Sequence, residues 1–276
     1  VGELPAPANF IDTHIHRQLT EMGIPASGGM GDGEFLRRAT LDIAGRIPTL
    51  EETKAFLADT TPDKRTKAID RLLASTGYAD YFAGKWAGIL RNKIGDGTDW
   101  VTRDTHAFHA WIRTSLNENK PFDQFASELV LAGGKAIDNP AVSWYRVVQD
   151  NKERMENLSQ VFLGIRMQCA QCHHHPYEKW SQDDYYGFAA FLSNVGRKPG
   201  EQPDEEIIFH KRGNATMQNP NTQTVLKPKP LGADPLDLPV SEDPREALAA
   251  WMTAPENPWF AKMVVNRYWK HFFSLG

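Results

Sequence analysis

Gln168-Cys169-Ala170-Gln171-Cys172-His173-His174-His175-Pro176 holds the only two cysteines of a 276-residue chain, in the spacing Cys-x-x-Cys-His. That spacing is the one used for covalent attachment of a c-type haem. Each thiol adds to one vinyl group, one helical turn matches the distance across the porphyrin edge, and the next residue, His173, turns its imidazole to the iron as proximal ligand. Other chemistries use the same residue types. Zinc wants about four ligands, so His173, His175 or a distant His would have to join the thiolates. A thioredoxin-like pair would open a helix after a strand, whereas the sequence upstream reads as helix. A structural disulfide across so short a loop would remove little chain entropy.

Outward from this stretch the chain is helical. Met155, Leu158, Phe162 and Ile165 recur at spacings of three or four, so Asn151 to Gln168 is predicted as one helix with the cysteine motif at its C-terminal end. Pro176 prevents that helix from running on. Ser181 with Asp184 then caps a helix through Tyr185, Tyr186, Phe188, Phe191 and Leu192.

The N-terminal half reads as further short helices. Ile11, Ile15, Leu19 and Met22 share one face until Gly23 and Pro25, with His14 and His16 read as surface or half-buried packing. After the Gly28-Gly29-Met30-Gly31 turn, Asp32 can cap a helix that ends near Gly45 and Pro48. Thr49 with Glu52 forms a capping box, and Thr61-Pro62 starts a helix carrying Ile69, Leu72 and Leu73. Tyr78 to Ile94 carries Tyr81, Phe82, Trp86, Ile89 and Leu90, a face for core packing or for the wall of a macrocycle pocket. Gly95-Asp96-Gly97 breaks the chain, Asp104 is read as the start of a helix with His106 and His109, and Pro121 to Leu131 forms another before Gly133-Gly134.

From Gly196 to Pro244 the helical period gives way to Pro, Gly, Asn and Thr. Glu206 to His210 and Gln223 to Leu226 are the strand candidates, read as one β-hairpin. Helices return after Asp243-Pro244 and Asn257-Pro258. The expected fold is mainly α: a helical bundle around a c-type haem with a small β-hairpin insertion. Its parts are a helical domain with the haem motif (1–195), the Pro/Gly-rich insertion (196–242) and C-terminal helices (243–276) that begin a second module packing on the first.

Composition bounds the function. The chain is 41% hydrophobic and 24% charged with net charge −4 and a pI near 6.2, so it has no electrostatic footprint for nucleic acid. No run approaches the ~18 apolar residues of a spanning helix. The chain opens Val1-Gly2-Glu3-Leu4-Pro5 with neither Met nor a signal peptide. Because c-type haem is attached outside the cytoplasmic membrane, a targeting segment is expected to have been removed, which makes the location periplasmic or secreted.

Three stretches resemble the planctomycete secreted cytochrome-like family, a domain of unknown function: Phe35-Leu36-Arg37-Arg38-Ala39-Thr40-Leu41-Asp42-Ile43-Ala44-Gly45-Arg46-Ile47-Pro48-Thr49, Phe162-Leu163-Gly164 through Pro176, and Asp184-Tyr185-Tyr186. The tail, Asn257-Pro258-Trp259-Phe260 with Asn266 to Phe273, is similar to the opening of a family that usually follows the first, and the chain stops inside it. The resemblance implies secretion, one c-type haem and a bacterial polysaccharide-degrading lifestyle, with no established reaction.

The site residues expected on this reading are Cys169 and Cys172 for attachment and His173 as proximal ligand. His175, Tyr185 and Tyr186 are expected as partners of the cofactor periphery, with Arg37 and Arg38 also available to propionates or substrate. For the distal side His271 stands first, on an aromatic helix remote in sequence, with Met155, Met167, His106, His109 and His210 behind it. The expected function is a secreted or periplasmic monohaem cytochrome c domain that passes electrons to a redox partner protein or domain within a larger redox system, with carbohydrate degradation as a candidate link. A haem enzyme of peroxidase or oxidase type with an open distal site, and a zinc-stapled binding module, are the alternatives.

Overall fold

Local signals set most of the helix ends. The computed structural model describes residues 4–92, 99–202 and 204–275. The predicted break at Gly95-Asp96-Gly97 lies outside the described residues, and the helix predicted to run from Tyr78 to Ile94 ends earlier, at Ile89. The chain divides into two compact units, one of residues through Leu41 with Arg46–Arg71, the other of Asp42–Gly45 with everything from Leu72 onward.

The first unit is built from helices α1 (Phe10–Met22), α2 (Asp32–Ala44, whose last turn belongs to the second unit), α3 (Leu50–Ala58) and α4 (Lys64–Leu73). Asn9 caps α1 by accepting from the amides of Ile11 and Asp12, and Gly23 ends it at φ 66°. The Thr49–Glu52 capping box is present, and Arg46 holds the same Glu52 with two hydrogen bonds of 2.8 Å. Leu36, Phe56 and Ala68 form the small core, with Phe35 stacked on Phe56 at 5.9 Å. Asp32 is tied to Lys64 (2.6 Å) and Arg65 (2.8 Å), which hold its carboxyl below the usual range.

The second unit carries α5 (Thr76–Ile89), α6 (Asp99–Asn117), α7 (Phe122–Val130), α8 (Ser143–Val147), α9 (Asn151–Leu158), α10 (Gln182–Ala190), α11 (Pro244–Thr253) and α12 (Phe260–Phe273). The aromatic face of α5 is core: Phe82, Trp86 and Leu90 are buried and meet Phe122, Phe125 and Tyr268. A fully buried Leu or Phe of this kind contributes about 1.5–3 kcal/mol. Gly45 turns the chain at φ 68° directly beneath the Tyr81 ring, where no Cβ fits.

Three further expectations are corrected. Asp104 does not start α6; the helix begins at Asp99, and Asp104 is a buried residue within it, ion-paired with Arg146 and Arg103. The helix from Asn151 does not run into the cysteines. It ends at Leu158, passes through a π-turn at Ser159–Leu163 and stops at Gly164 in the left-handed conformation, φ 72°. The two strand candidates do not pair with each other. In the first sheet β3 (Glu206–His210) lies between β1 (Gly134–Lys135) and β2 (Val195–Pro199), all antiparallel, while β5 (Val225–Leu226) pairs with β4 (Met217–Gln218) in a separate hairpin. β1, which comes from the helical part of the sequence, and the short α8 have no sequence prediction.

Candidate functional site

The cysteines sit on a short 3₁₀ turn, Gln168–Gln171, where the amides of Cys172 and His173 both approach the Cys169 carbonyl at 3.5 Å. Ala170 is buried and anchors the turn, while Cys169, Cys172, His173 and His174 are exposed and both thiols are free. The motif therefore lies at the surface of the second unit, outside the aromatic core of α5.

Helix α10 clamps this turn from below. Its Ser181–Asp184 capping box is present, and Lys229 binds Asp184 at 2.7 Å; burial raises the Asp184 carboxyl, and the hydrogen bonds from Lys229 and Ser181 outweigh it and leave it lowered. Two side chains of the helix donate to the Gln171 carbonyl, Gln182 at 2.9 Å and the Tyr186 hydroxyl at 3.3 Å. Burial, and then the nearby Cys172, push the Tyr186 phenol up. Tyr185 faces elsewhere: its hydroxyl is buried on Glu156 of α9 at 2.6 Å. Gln182 drew no attention in the sequence because a glutamine in the first turn of a capped helix looks like solvated surface.

The histidines after the cysteines are held in opposite ways. His173 Nδ1 lies 2.6 Å from the His174 carbonyl oxygen. A carbonyl only accepts, so Nδ1 carries the proton and the neutral ring has its lone pair on Nε2. His175 Nδ1 faces two backbone amides, Tyr177 at 3.3 Å and Glu178 at 3.0 Å. Amides only donate, so this Nδ1 is bare and the proton sits on Nε2. His173 thus offers a ligand nitrogen and His175 offers a donor. The loop closes through His175 N–H to the Trp180 carbonyl (2.9 Å), with Trp180 itself buried and edge-on to Trp259 at 5.8 Å.

The distal candidates lie in other settings. His271 Nε2 donates to the Asp42 carbonyl at 2.8 Å, and its ring is packed among Tyr81, Phe82 and Phe272. It lies near the end of α12 away from Trp259 and Trp180, about 16 Å along the helix from Phe260 at 1.5 Å per residue. The Nε2 of His271 is thus held by backbone, which leaves Nδ1 as its lone-pair nitrogen. Met155 and Met167 are fully buried in the core, and Met155 sulfur accepts from Ser159. His106 is exposed on α6 and His109 half-buried there; His210 stands on β3. Arg37 and Arg38 are exposed on α2, in the first unit. Among the described residues, no three His, Cys, Asp or Glu side chains converge as a metal-ligating cluster.

The donor set fits a covalently attached haem: two free thiols at the right spacing and an adjacent imidazole whose outer nitrogen is a lone-pair donor. Comparison with known proteins places residues 10–197 in the PSCyt2 family, a protein of unknown function (DUF1549), and residues 244–276 match PSD1, a second protein of unknown function (DUF1553). The first match spans more than half of the chain, which therefore belongs to the PSCyt2 family. No curated protein and no solved structure matches it.

Proposed function

We propose that this PSCyt2 chain is a secreted or periplasmic monohaem c-type cytochrome domain, with haem attached through Cys169 and Cys172 and held by His173, that exchanges electrons with a partner protein or domain. One observation carries the reading: the only two thiols of the chain are both free and exposed on one turn, followed by a histidine whose Nδ1 is tied to backbone so that Nε2 is left to ligate. A haem so held supplies a one-electron couple.

Each neighbouring residue has a part in this reading. The His174 carbonyl fixes the tautomer and orientation of the His173 ring, as outer partners of ligating histidines do. Tyr186 and Gln182 hold the Gln171 carbonyl and so keep the turn rigid beneath the thiols. His175 presents an N–H, which suits a carboxylate at the cofactor periphery and does not suit a metal. The same tautomer weighs against the zinc-stapled module, in which His175 would be a ligand. The exposed position of the thiols leaves the site open to a protein partner.

The absorption spectrum of chain matured in a host with c-type haem machinery tests the electron-carrier reading. A sharp split α/β band on reduction that carbon monoxide leaves unchanged is the expected result. A spectrum that shifts with carbon monoxide would instead favour the open-site haem enzyme, and a spectrum with no Soret band would remove haem from the account.

A further inference from the structure

The core around Tyr145 holds a buried guanidinium that has no ion pair. Two guanidinium groups lie over the Tyr145 ring, Arg154 at 5.2 Å and Arg245 at 5.4 Å from its centroid, and both arginines are buried, 1% and 4% exposed. Arg245 is fully matched, donating to both oxygens of Asp243 and to the carbonyls of Val130 and Ala132. Arg154 is not. Its Nε donates to the Val148 carbonyl and its Nη1 to Asn151, neither of them a carboxylate, while Nη2 is buried without a partner. Burial lowers its pKa to about 10, with the charges of Arg197 and Arg245 acting the same way, so it remains a cation at neutral pH.

The sheet brings two further unpartnered nitrogens to this region. In the β2–β3 ladder Arg197 stands opposite Ile208 and His210 opposite Val195. Cross-strand partners, and residues two apart on one strand, share a face, so Arg197 and His210 are neighbours on the side that buries Ile208 and Val195. Arg197 Nε and His210 Nε2 are, with Arg154 Nη2, the buried side-chain nitrogens that lack a partner among the described residues. Of the carboxylates nearby, Asp104 is taken by Arg146, Glu206 by Arg146 and Arg197, and Asp243 by Arg245, while Asp150 acts on Arg154 through its charge but spends its hydrogen bonds on the Lys152 and Glu153 amides. His210 acts electrostatically on Asp243, which ties it to the same group.

We propose that Arg154 Nη2, Arg197 Nε and His210 Nε2 form a buried site for a small monovalent inorganic anion of halide size. Arg154 Nη2 and Arg197 Nε only donate, and the site takes His210 in the tautomer with its proton on Nε2; three such donors suit an anion better than a water, which accepts at most two hydrogen bonds and has two of its own to place. An anion also answers the unpaired charge of Arg154, which is costly in a low-dielectric setting. None of the three atoms is open to solvent, so the occupant is ion-sized; it enters by movement of Arg197, whose side chain is 24% exposed.

The test uses bromide as the probe. In crystals soaked in sodium bromide, an anomalous peak is expected within hydrogen-bond reach of Arg154 Nη2 and His210 Nε2. In solution, the thermal midpoint is expected to rise with sodium bromide relative to sodium fluoride at matched ionic strength. His210→Leu, at the edge of the buried group, should weaken the apparent bromide affinity about tenfold, and Arg154→Gln should abolish the bromide effect if that variant folds. A position without anomalous signal, or equal midpoints of the wild-type chain in bromide and fluoride, would overturn the proposal.

Discussion

His173 and His175, two residues apart on one exposed loop, carry their protons on opposite ring nitrogens: His173 on Nδ1, against the His174 carbonyl, and His175 on Nε2, because its Nδ1 receives two backbone amides. The same residue type is thereby given two jobs by backbone alone. His173→Ala is expected to leave haem attached, since the thioether bonds do not involve it, but to change the spin state seen by absorption and electron paramagnetic resonance. His175→Ala should leave the spin state as it was. A spin state altered by His175→Ala and untouched by His173→Ala would reverse the assignment.

His271 is a packing residue on this account. Replacing it by Ala removes the hydrogen bond to the Asp42 carbonyl and the ring contacts to Tyr81 and Phe82. A loss of about 2 kcal/mol is expected in denaturant unfolding, with the Soret position of the matured protein unchanged. A shifted Soret band would return His271 to the iron.

The phenol of Tyr185 is expected to matter for stability and not for the cofactor. Burial, and then its hydrogen bond to Glu156, push that phenol up, so it is a neutral donor throughout the working pH range. Tyr185→Phe strands the Glu156 carboxylate and should destabilise the fold by about 1–3 kcal/mol, read from the midpoint of urea unfolding. The visible spectrum should not move.

Glu52 links pH to the stability of the first unit. The hydrogen bonds from Arg46, then the Thr49 amide, lower its carboxyl from 4.5 to about 2. A carboxyl lowered in the folded state stabilises fully above its unfolded value and loses that contribution as pH falls toward the folded one. The loss is therefore expected between roughly pH 4.5 and 2. Arg46 is 44% exposed, so solvent screening limits the effect to about 1 kcal/mol. Glu52→Gln should remove this part of the acid dependence; an unchanged acid profile would show that the pair contributes nothing.

What could be read from the sequence was local. Capping boxes at Thr49–Glu52 and Ser181–Asp184 depend on four consecutive residues, and the cysteine motif on five, so all were visible without a fold. Pairing of β3 with β2 and β1 was not, because Gly134–Lys135 has no strand pattern and its partner Ile207–Ile208 lies over seventy residues away. Asp104 has the look of a helix start, and the approach of Arg146 from another helix, with Arg103 beside it, makes a buried place for it in mid-helix. The tautomers of His173 and His175 rest on turn geometry that no spacing rule carries. The surroundings of His271 were not legible either, because an amphipathic helix announces its apolar face without saying which end meets which neighbour.

The most direct test of the central claim is the intact mass of the chain matured outside the cytoplasmic membrane of a host that makes c-type cytochromes. The account predicts the polypeptide plus one haem, with the added mass lost from the doubly substituted Cys169→Ser, Cys172→Ser chain. The bare polypeptide mass, from a host shown to mature another c-type cytochrome in the same preparation, would contradict it.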